Sequence, residues 1–424
     1  MKTSLYLRSF ALLLIIAFVL GACTPAAAPT TPAAPAANTE APAAQPTEAS
    51  APAADDKFIF GMLLVGPYND HGYSEAHYNG GLYVQENMPG SEMIYVDKVN
   101  PADRPGTTPA QLAEDLLSKG AKVIIFNSDD MKDSAIEFAK AHPDVPVLHM
   151  SGDSSWQEGK AFQNLPNMAN IMGRMEYGKA IAGCAAALTT KTGQIGYLGP
   201  LINDETRRLT ASAYLGARHC YEKAGKNPDD LKFKVTWIGF WFNIPGVTSD
   251  PTQVADEFFN GGYDVVISGI DTTEGLTEAA KIAGTGKEVY AIPYDFEGAC
   301  GENDAVCLGV PYFNWGPAYL AKMTEIKEGN FKADWQWPGP DWADINNHDT
   351  STVGFLKGAA LSDEAAAGVD AFIAELAGGF NPWTGPINLQ DGSEYLKDGE
   401  TATDLQVWYL PQLLEGMEGQ SVSQ

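Results

Sequence analysis

Apolar positions in this chain fall in short blocks separated by longer segments of helical period. Phe58-Ile59-Phe60-Gly61-Met62-Leu63-Leu64-Val65 reads as a strand, residues 72–86 as a helix and 92–96 as the next strand. Residues 109–119 place Leu112, Leu116 and Leu117 on one helical face, and 122–126 is a strand rich in β-branched residues. A helix over 134–142 and a strand over 145–150 repeat the cycle. A second series begins with a helix over 174–188, then alternates strands at 194–198, 233–238, 264–268 and 288–293 with helices at 205–224, 251–261 and 273–283. Such alternation predicts an α/β fold, with parallel sheets covered on both faces and arranged as two Rossmann-like lobes.

Open parallel sheets bind ligands outside the carboxyl ends of their strands. Those ends carry residues 66–72, 127–131, 151–156, 199–204, 239–243, 269–273 and 294–298. If the two lobes face each other, these loops converge on one cleft. Its expected lining is aromatic (Tyr68, Tyr73, Phe126, Trp241, Phe242, Trp315) and acidic (Asp70, Asp271, Asp295), with Asn127 among the polar contacts. Aromatic faces with a few convergent acceptors suit a flat, hydrogen-bonding organic ligand.

The N-terminus has a different pattern. Lys2 and Arg8 precede an apolar run over 10–20, which reads as a secretory signal and is too short for a membrane span. Leu20-Gly21-Ala22-Cys23 resembles a lipobox, so residues 1–22 are expected to be removed and Cys23 to be lipidated, the acyl chains including palmitate. Residues 24–54 are almost all Ala, Pro and Thr and read as a tether, extending by about 3 Å per residue where polyproline-like. The expected location is the outer face of the cell membrane, held by the lipid.

Roughly 370 residues follow, enough for two globular lobes. A formal charge of -27 argues against nucleic acid as a partner, because phosphate binding needs clustered Lys and Arg. Four cysteines remain besides Cys23, and an oxidising compartment favours disulfides. Of the three pairings, nearness in sequence favours Cys300 with Cys307 and Cys184 with Cys220, the latter across a strand and helix pair. The six His are scattered, none joins two Cys at finger spacing, and neither a metal nor a cofactor is expected. No zincin, nucleophile-elbow or Walker string occurs, and Gly284-Thr285-Gly286-Lys287 follows a helix, so it reads as a C-cap turn.

Several strings resemble the basic membrane protein family of lipoproteins, the purine- and nucleoside-binding components of ABC uptake transporters. They are Asn69-Asp70-His71-Gly72-Tyr73-Ser74-Glu75-Ala76-His77, Asp144-Val145-Pro146-Val147-Leu148-His149-Met150-Ser151-Gly152, Gly173-Arg174-Met175 with Ala182-Gly183, Thr192-Gly193-Gln194-Ile195-Gly196-Tyr197, Asn314-Trp315-Gly316-Pro317-Ala318-Tyr319 and Gly385-Pro386-Ile387. The resemblance implies a type I periplasmic-binding-protein-like fold, a non-enzymatic role and an ABC permease as partner. It implies that Tyr73 stacks on a base, Phe126 helps enclose it, and Asp295 takes up ribose hydroxyls. The Trp237 to Trp241 spacing also echoes the purine subgroup. One departure is that no clear match exists to the lysine that accompanies ribose recognition; Phe296-Glu297-Gly298-Ala299-Cys300 fills that neighbourhood.

Residue by residue, alternatives stay open. Tyr73 stacks on the ligand or closes a core, and Asp295 contacts the ligand or caps a turn. Asp70 bonds the ligand or caps the helix after it. Trp315 lines the cleft or locks the hinge, and Trp241 with Phe242 forms a pocket wall or meets the permease. Trp335, Trp337 and Trp342 stack a sugar or pack a loop between lobes, and His71 and His77 read as structural. The expected lobes are 55–167 with 297–346, and 168–296 with 347–424, with hinge crossings near Asn167, Phe296 and Asn346. The leading reading is a binding protein that closes on a small solute and passes it to a transporter. A sensor of the same fold and a secreted carboxylate hydrolase are the rivals.

Overall fold

The computed structural model describes residues 57–422. The expected signal segment, Cys23 and the tether lie outside them. Chain order in the first half is β1 (Phe58–Leu63), α1 (Tyr73–Asn87), β2 (Ser91–Val96), α2 (Pro109–Ser118), β3 (Ile124–Phe126), α3 (Lys132–Ala141), β4 (Val147–Met150) and β5 (Met168–Ile171). Then come α4 (Met175–Thr189), β6 (Gln194–Gly199), α5 (Asp204–Lys223), β7 (Lys232–Trp237), α6 (Pro251–Asn260), β8 (Val265–Ser268), α7 (Glu274–Ala283) and β9 (Tyr290–Ile292). The remainder is β10 (Gly309–Phe313), α8 (Gly316–Lys327), β11 (Trp335–Gln336), β12 (Val353–Lys357), α9 (Asp363–Ala377), β13 (Ile387–Asn388), β14 (Glu394–Leu396), α10 (Asp404–Trp408) and β15 (Met417–Glu418).

Two parallel sheets result. The first has the order β11-β5-β4-β3-β1-β2 and the second β15-β7-β6-β8-β9. Helix starts follow local chemistry. Thr108 and Gln111 form a capping box on α2 with Pro109 in the first turn, Asn203 and Thr206 do the same for α5, and Asp250 caps α6 ahead of Pro251. Residues 284–286 do form a turn at the end of α7, where Gly284 is the C-cap.

The boundary expected after Asn167 comes too early. Met168–Ile171 pairs with β4 in the first sheet, and the Asn167 amide donates to the Ala139, His142 and Val145 carbonyls of that lobe. The chain leaves the first lobe after Ile171. Further on, Asp295 bridges Tyr312, Asn346 pairs with the backbone of Phe355, and β10 and β12 run antiparallel to each other. The run Met168-Ala169-Asn170-Ile171 was missed because, at four residues, it has no period of its own.

Both expected disulfides are present, Cys184–Cys220 and Cys300–Cys307. The first links two helices, α4 and α5, and not a strand and a helix. The two helices pack backbone to backbone at Gly183 and Gly216, where an added Cβ would strike the Ala213 and Ala180 carbonyls respectively. No helix among the described residues is long and apolar enough to cross a membrane.

Candidate functional site

Between the sheets, at the carboxyl ends of their strands, lies a small cavity. The first lobe supplies Tyr73 from the start of α1, Ser128 and Asp129 from the loop after β3, and Ser151 from the end of β4. The second supplies Glu205 in the first turn of α5, Trp241 after β7 and Asp271 after β8, with Tyr294 and Asp295 from the crossover after β9.

Four of the expected residues therefore meet: Tyr73, Trp241, Asp271 and Asp295. Tyr73 is fixed by its hydroxyl, which donates to the Met150 carbonyl at 3.1 Å, and by edge-on contacts with His77, Phe313 and Trp315. Trp241 stands on the opposite lobe, its carbonyl accepting from the Asp271 amide at 2.9 Å and its buried indole Nε1 lacking a partner among the described residues. Asp295 is fully buried, and apart from the adjacent Tyr294 hydroxyl its carboxylate has no hydrogen-bond donor among the described residues.

Backbone strain concentrates here. Asp295 has φ 73° and Ser151 has φ 135°, both in the region that side chains other than glycine's avoid. Asp295 is held there by its amide donating to Pro311 and its carbonyl accepting from the Phe313 amide. A sparsely paired buried carboxylate on a strained backbone is costly unless protonation, a nearby cation or a ligand relieves it.

The other four expected residues are elsewhere. Asp70 is a helix cap: its carboxylate accepts from the amides of Gly72, Ser74 and Glu75, and it is not on the cavity wall. Burial still raises its pKa, to about 6, against these bonds. Phe126 is core and packs on Phe138, because β3 is covered on both faces and its last side chain turns into a helix layer. Asn127 holds the β1 end, its Oδ1 accepting from the Val65 amide at 3.0 Å. Trp315 stacks on His77 at 4.2 Å and on Phe313 at 4.8 Å, behind Tyr73. Of the wider aromatic set, Tyr68 is exposed and clusters with Tyr78 and Tyr95, and Phe242 packs on Phe240.

Sequence reasoning missed Ser128, Asp129, Ser151, Glu205 and Tyr294 as individuals. All but Glu205 lie inside loops assigned to the cleft, and Glu205 is one residue beyond such a loop. It also missed Lys179, buried in α4 beneath the acidic wall. Its Nζ donates to the Ser268 carbonyl at 2.7 Å and lies 3.1 Å from the Tyr294 ring centre. A buried lysine thus stands near Asp295, reached from α4 and not from the stretch after Phe296.

Burial controls the electrostatics. It pushes Glu205 up to about 7, although Arg208 and a bond from Ser151 Oγ at 3.0 Å pull it down. It raises Asp271 and Asp295 well above the usual carboxylate range; their mutual proximity adds to the effect on Asp271, while Lys179 opposes it at Asp295. Burial lowers Lys179, against the attraction of Asp295, Asp271 and Glu205. The cavity is rich in acceptors and poor in free donors, so it is complementary to a ligand bearing several N–H or O–H groups.

The lobes touch around it. Gly72 lies so close to the Asp271 carbonyl that an added Cβ would overlap it. Ser151 bonds Glu205 across the gap. This is a closed arrangement.

Comparison with known proteins gives a family. Residues 58–332 match the model described as ABC transporter substrate-binding protein PnrA-like. A purine-binding protein of Brucella abortus is 26% identical over 356 residues, covering 83% of this chain and 90% of the relative. A putative ABC transporter glucose-binding protein of Haloferax volcanii is 26% identical over 275 residues, 65% of this chain and 62% of the relative. Among solved structures, a solute-binding protein of an ABC transporter system from Aeropyrum pernix aligns with TM-score 0.59 at 13% identity, covering 85% of this chain and 100% of the other. One from Conexibacter woesei aligns with TM-score 0.54 at 16% identity, covering 76% and 97%. These structural likenesses show the fold, the type I periplasmic-binding-protein-like architecture.

Proposed function

The chain belongs to the PnrA-like family of ABC transporter substrate-binding proteins, which bind solutes and catalyse nothing, and from that premise we propose that it captures a purine base or nucleoside outside the cytoplasm and delivers it to a permease. The observation that carries the ligand class is the pairing, in one cavity, of aromatic Tyr73 and Trp241 with the buried, sparsely paired carboxylate of Asp295. A flat heterocycle supplies faces for the rings and N–H or hydroxyl donors for the carboxylate. The purine-binding relative supports the same class.

Binding proceeds by closure. The open lobes expose Tyr73, Ser128 and Ser151 on one side and Trp241, Asp271 and Glu205 on the other; a ligand that touches both stabilises the shut form. Discrimination comes from the buried acceptors, because a ligand lacking a donor leaves a desolvated carboxylate unmet. The lipobox-like string ending at Cys23 supports a lipid anchor holding this body near the bilayer, and two disulfides suit an oxidising compartment.

A thermal-shift screen of the purified protein against purine bases, nucleosides, sugars and amino acids tests this. At 100 times its dissociation constant a ligand stabilises the folded state by about 2.7 kcal/mol. A purine or nucleoside shift is the expected result. A shift with glucose alone would keep the fold and overturn the ligand class.

A further inference from the structure

The chain beyond the residues shared with the family model, from 333 onward, forms more than a tail. It is fixed to the second lobe on both sides of α10. Upstream, the Trp383 indole donates to Ser212 Oγ at 3.0 Å. Downstream, Arg207 Nε donates to the Leu410 carbonyl at 2.7 Å, Tyr214 Oη donates to the Glu415 carbonyl at 3.0 Å, and β15 pairs with β7.

Between these anchors, Trp408 and Tyr409 reach the first lobe. The Tyr409 hydroxyl donates to the Asp153 carboxylate and accepts from the Lys160 amide at 2.6 Å. Its ring lies parallel to Trp156, centres 5.9 Å apart, with Lys160 Nζ 4.1 Å from its own centre. Trp408 meets Trp156 and Trp335 edge-on at 5.8 and 5.2 Å, while the Arg208 guanidinium of α5 covers it at 4.0 Å. Trp156 and Trp335 themselves stack at 4.0 Å.

The gripped segment is the one that enters the ligand cavity. Asp153 and Trp156 follow Ser151 in the same loop, and Ser151 bonds Glu205 across the cleft. A groove walled by Trp408 and Tyr409 adjoins the cavity and shares Asp129, Ser151 and Glu205 with it. Opening the lobes must separate Tyr409 from Asp153, since the two are anchored to different sheets.

We propose that Trp408 and Tyr409 are positioning residues for the ligand site: an interlobe clasp that holds the 151–156 loop in its closed place and sets the rate of ligand release. This rests on the solute-binding reading above. Tyr409 Oη contributes a charge-assisted hydrogen bond that exists only in the closed form, so its loss acts on release and not on capture.

The test compares the wild-type protein with Tyr409→Phe, which keeps the ring stack, and Trp408→Ala. Stopped-flow fluorescence with adenine and guanosine gives the association and release rates, and small-angle X-ray scattering gives the radius of gyration without ligand. Expected for Tyr409→Phe are release about tenfold faster, association within about twofold, an unchanged melting temperature and a larger ligand-free radius. Unchanged release together with an unchanged radius overturns the clasp, as does a fall in melting temperature that accounts for every kinetic change. If neither purine binds the wild type, the ligand assignment fails; the ligand-free radius then decides the clasp by itself, a larger one supporting it and an unchanged one overturning it.

Discussion

Replacing Glu205 by Gln should stabilise the closed protein, held shut by saturating ligand, at pH 8 and do little near pH 4.5. Burial raises the Glu205 carboxyl from 4.5 to about 7, with Asp129 and Glu176 adding repulsion and Arg208 offsetting part of it. A folded-state pKa above the unfolded value means that the native protein holds its proton more tightly. The ionised form therefore costs stability, absent below about 4.5, growing as pH rises, and complete above about 7. At about 1.4 kcal/mol per pH unit the full shift corresponds to about 3 kcal/mol. Glutamine keeps an oxygen to accept from Ser151 Oγ and carries no charge. Some solvent reaches the side chain, so the expected gain at pH 8 is about 1–3 kcal/mol, against less than about 0.5 kcal/mol at pH 4.5. Urea unfolding of both proteins at the two pH values measures it, and titration of the other carboxylates largely cancels in the difference. An equal gain at both pH values, or none at pH 8, would refute the claim that an uncompensated charge sits there.

Other outcomes follow from the same geometry. Gly72→Ala places a methyl group against the Asp271 carbonyl; ligand affinity measured by calorimetry should fall at least about tenfold, with the melting temperature of the ligand-free protein nearly unchanged. Tyr73→Phe loses the bond to the Met150 carbonyl but keeps the ring, so affinity should drop by less than about tenfold, whereas Tyr73→Ala should abolish purine binding in the same titration. The proposed lipid anchor, read from the sequence, has its own test: Cys23→Ser should release the protein from membranes into the soluble fraction and abolish incorporation of labelled palmitate, and retention on membranes would contradict it.

The alternation of strands and helices was legible because parallel strands covered on both faces are continuous apolar blocks, while their helices carry period and caps. Met168–Ile171 escaped for want of length, and its loss displaced the first lobe boundary. Loops around the site were legible from one topological rule, yet the rule does not say which side chain in a loop turns inward. Phe126, at the end of a strand, turned into the helix layer, and the residues two and three places on, Ser128 and Asp129, line the cavity. Asp70 illustrates a competition that sequence leaves open: an acid ahead of a helix is equally suited to a ligand and to backbone amides, and here the amides have it. Trp315 was drawn into a stack by His77, a partner far away in sequence. Lys179 carries no local signal beyond being the one basic residue of an otherwise largely apolar helix. The clasp lies further still from inference, since Tyr409 and Asp153 meet only through the closed arrangement of the two lobes.

The most direct test of the central claim is calorimetric titration of adenine and guanosine into the wild-type protein and Asp295→Asn. Asp295 is a buried acceptor on the cavity wall with only the adjacent Tyr294 hydroxyl as a donor among the described residues. Binding of at least one purine to the wild type, weakened about a hundredfold by Asp295→Asn, is the predicted result. Undiminished purine binding by Asp295→Asn, or the absence of purine binding by the wild type, would contradict it.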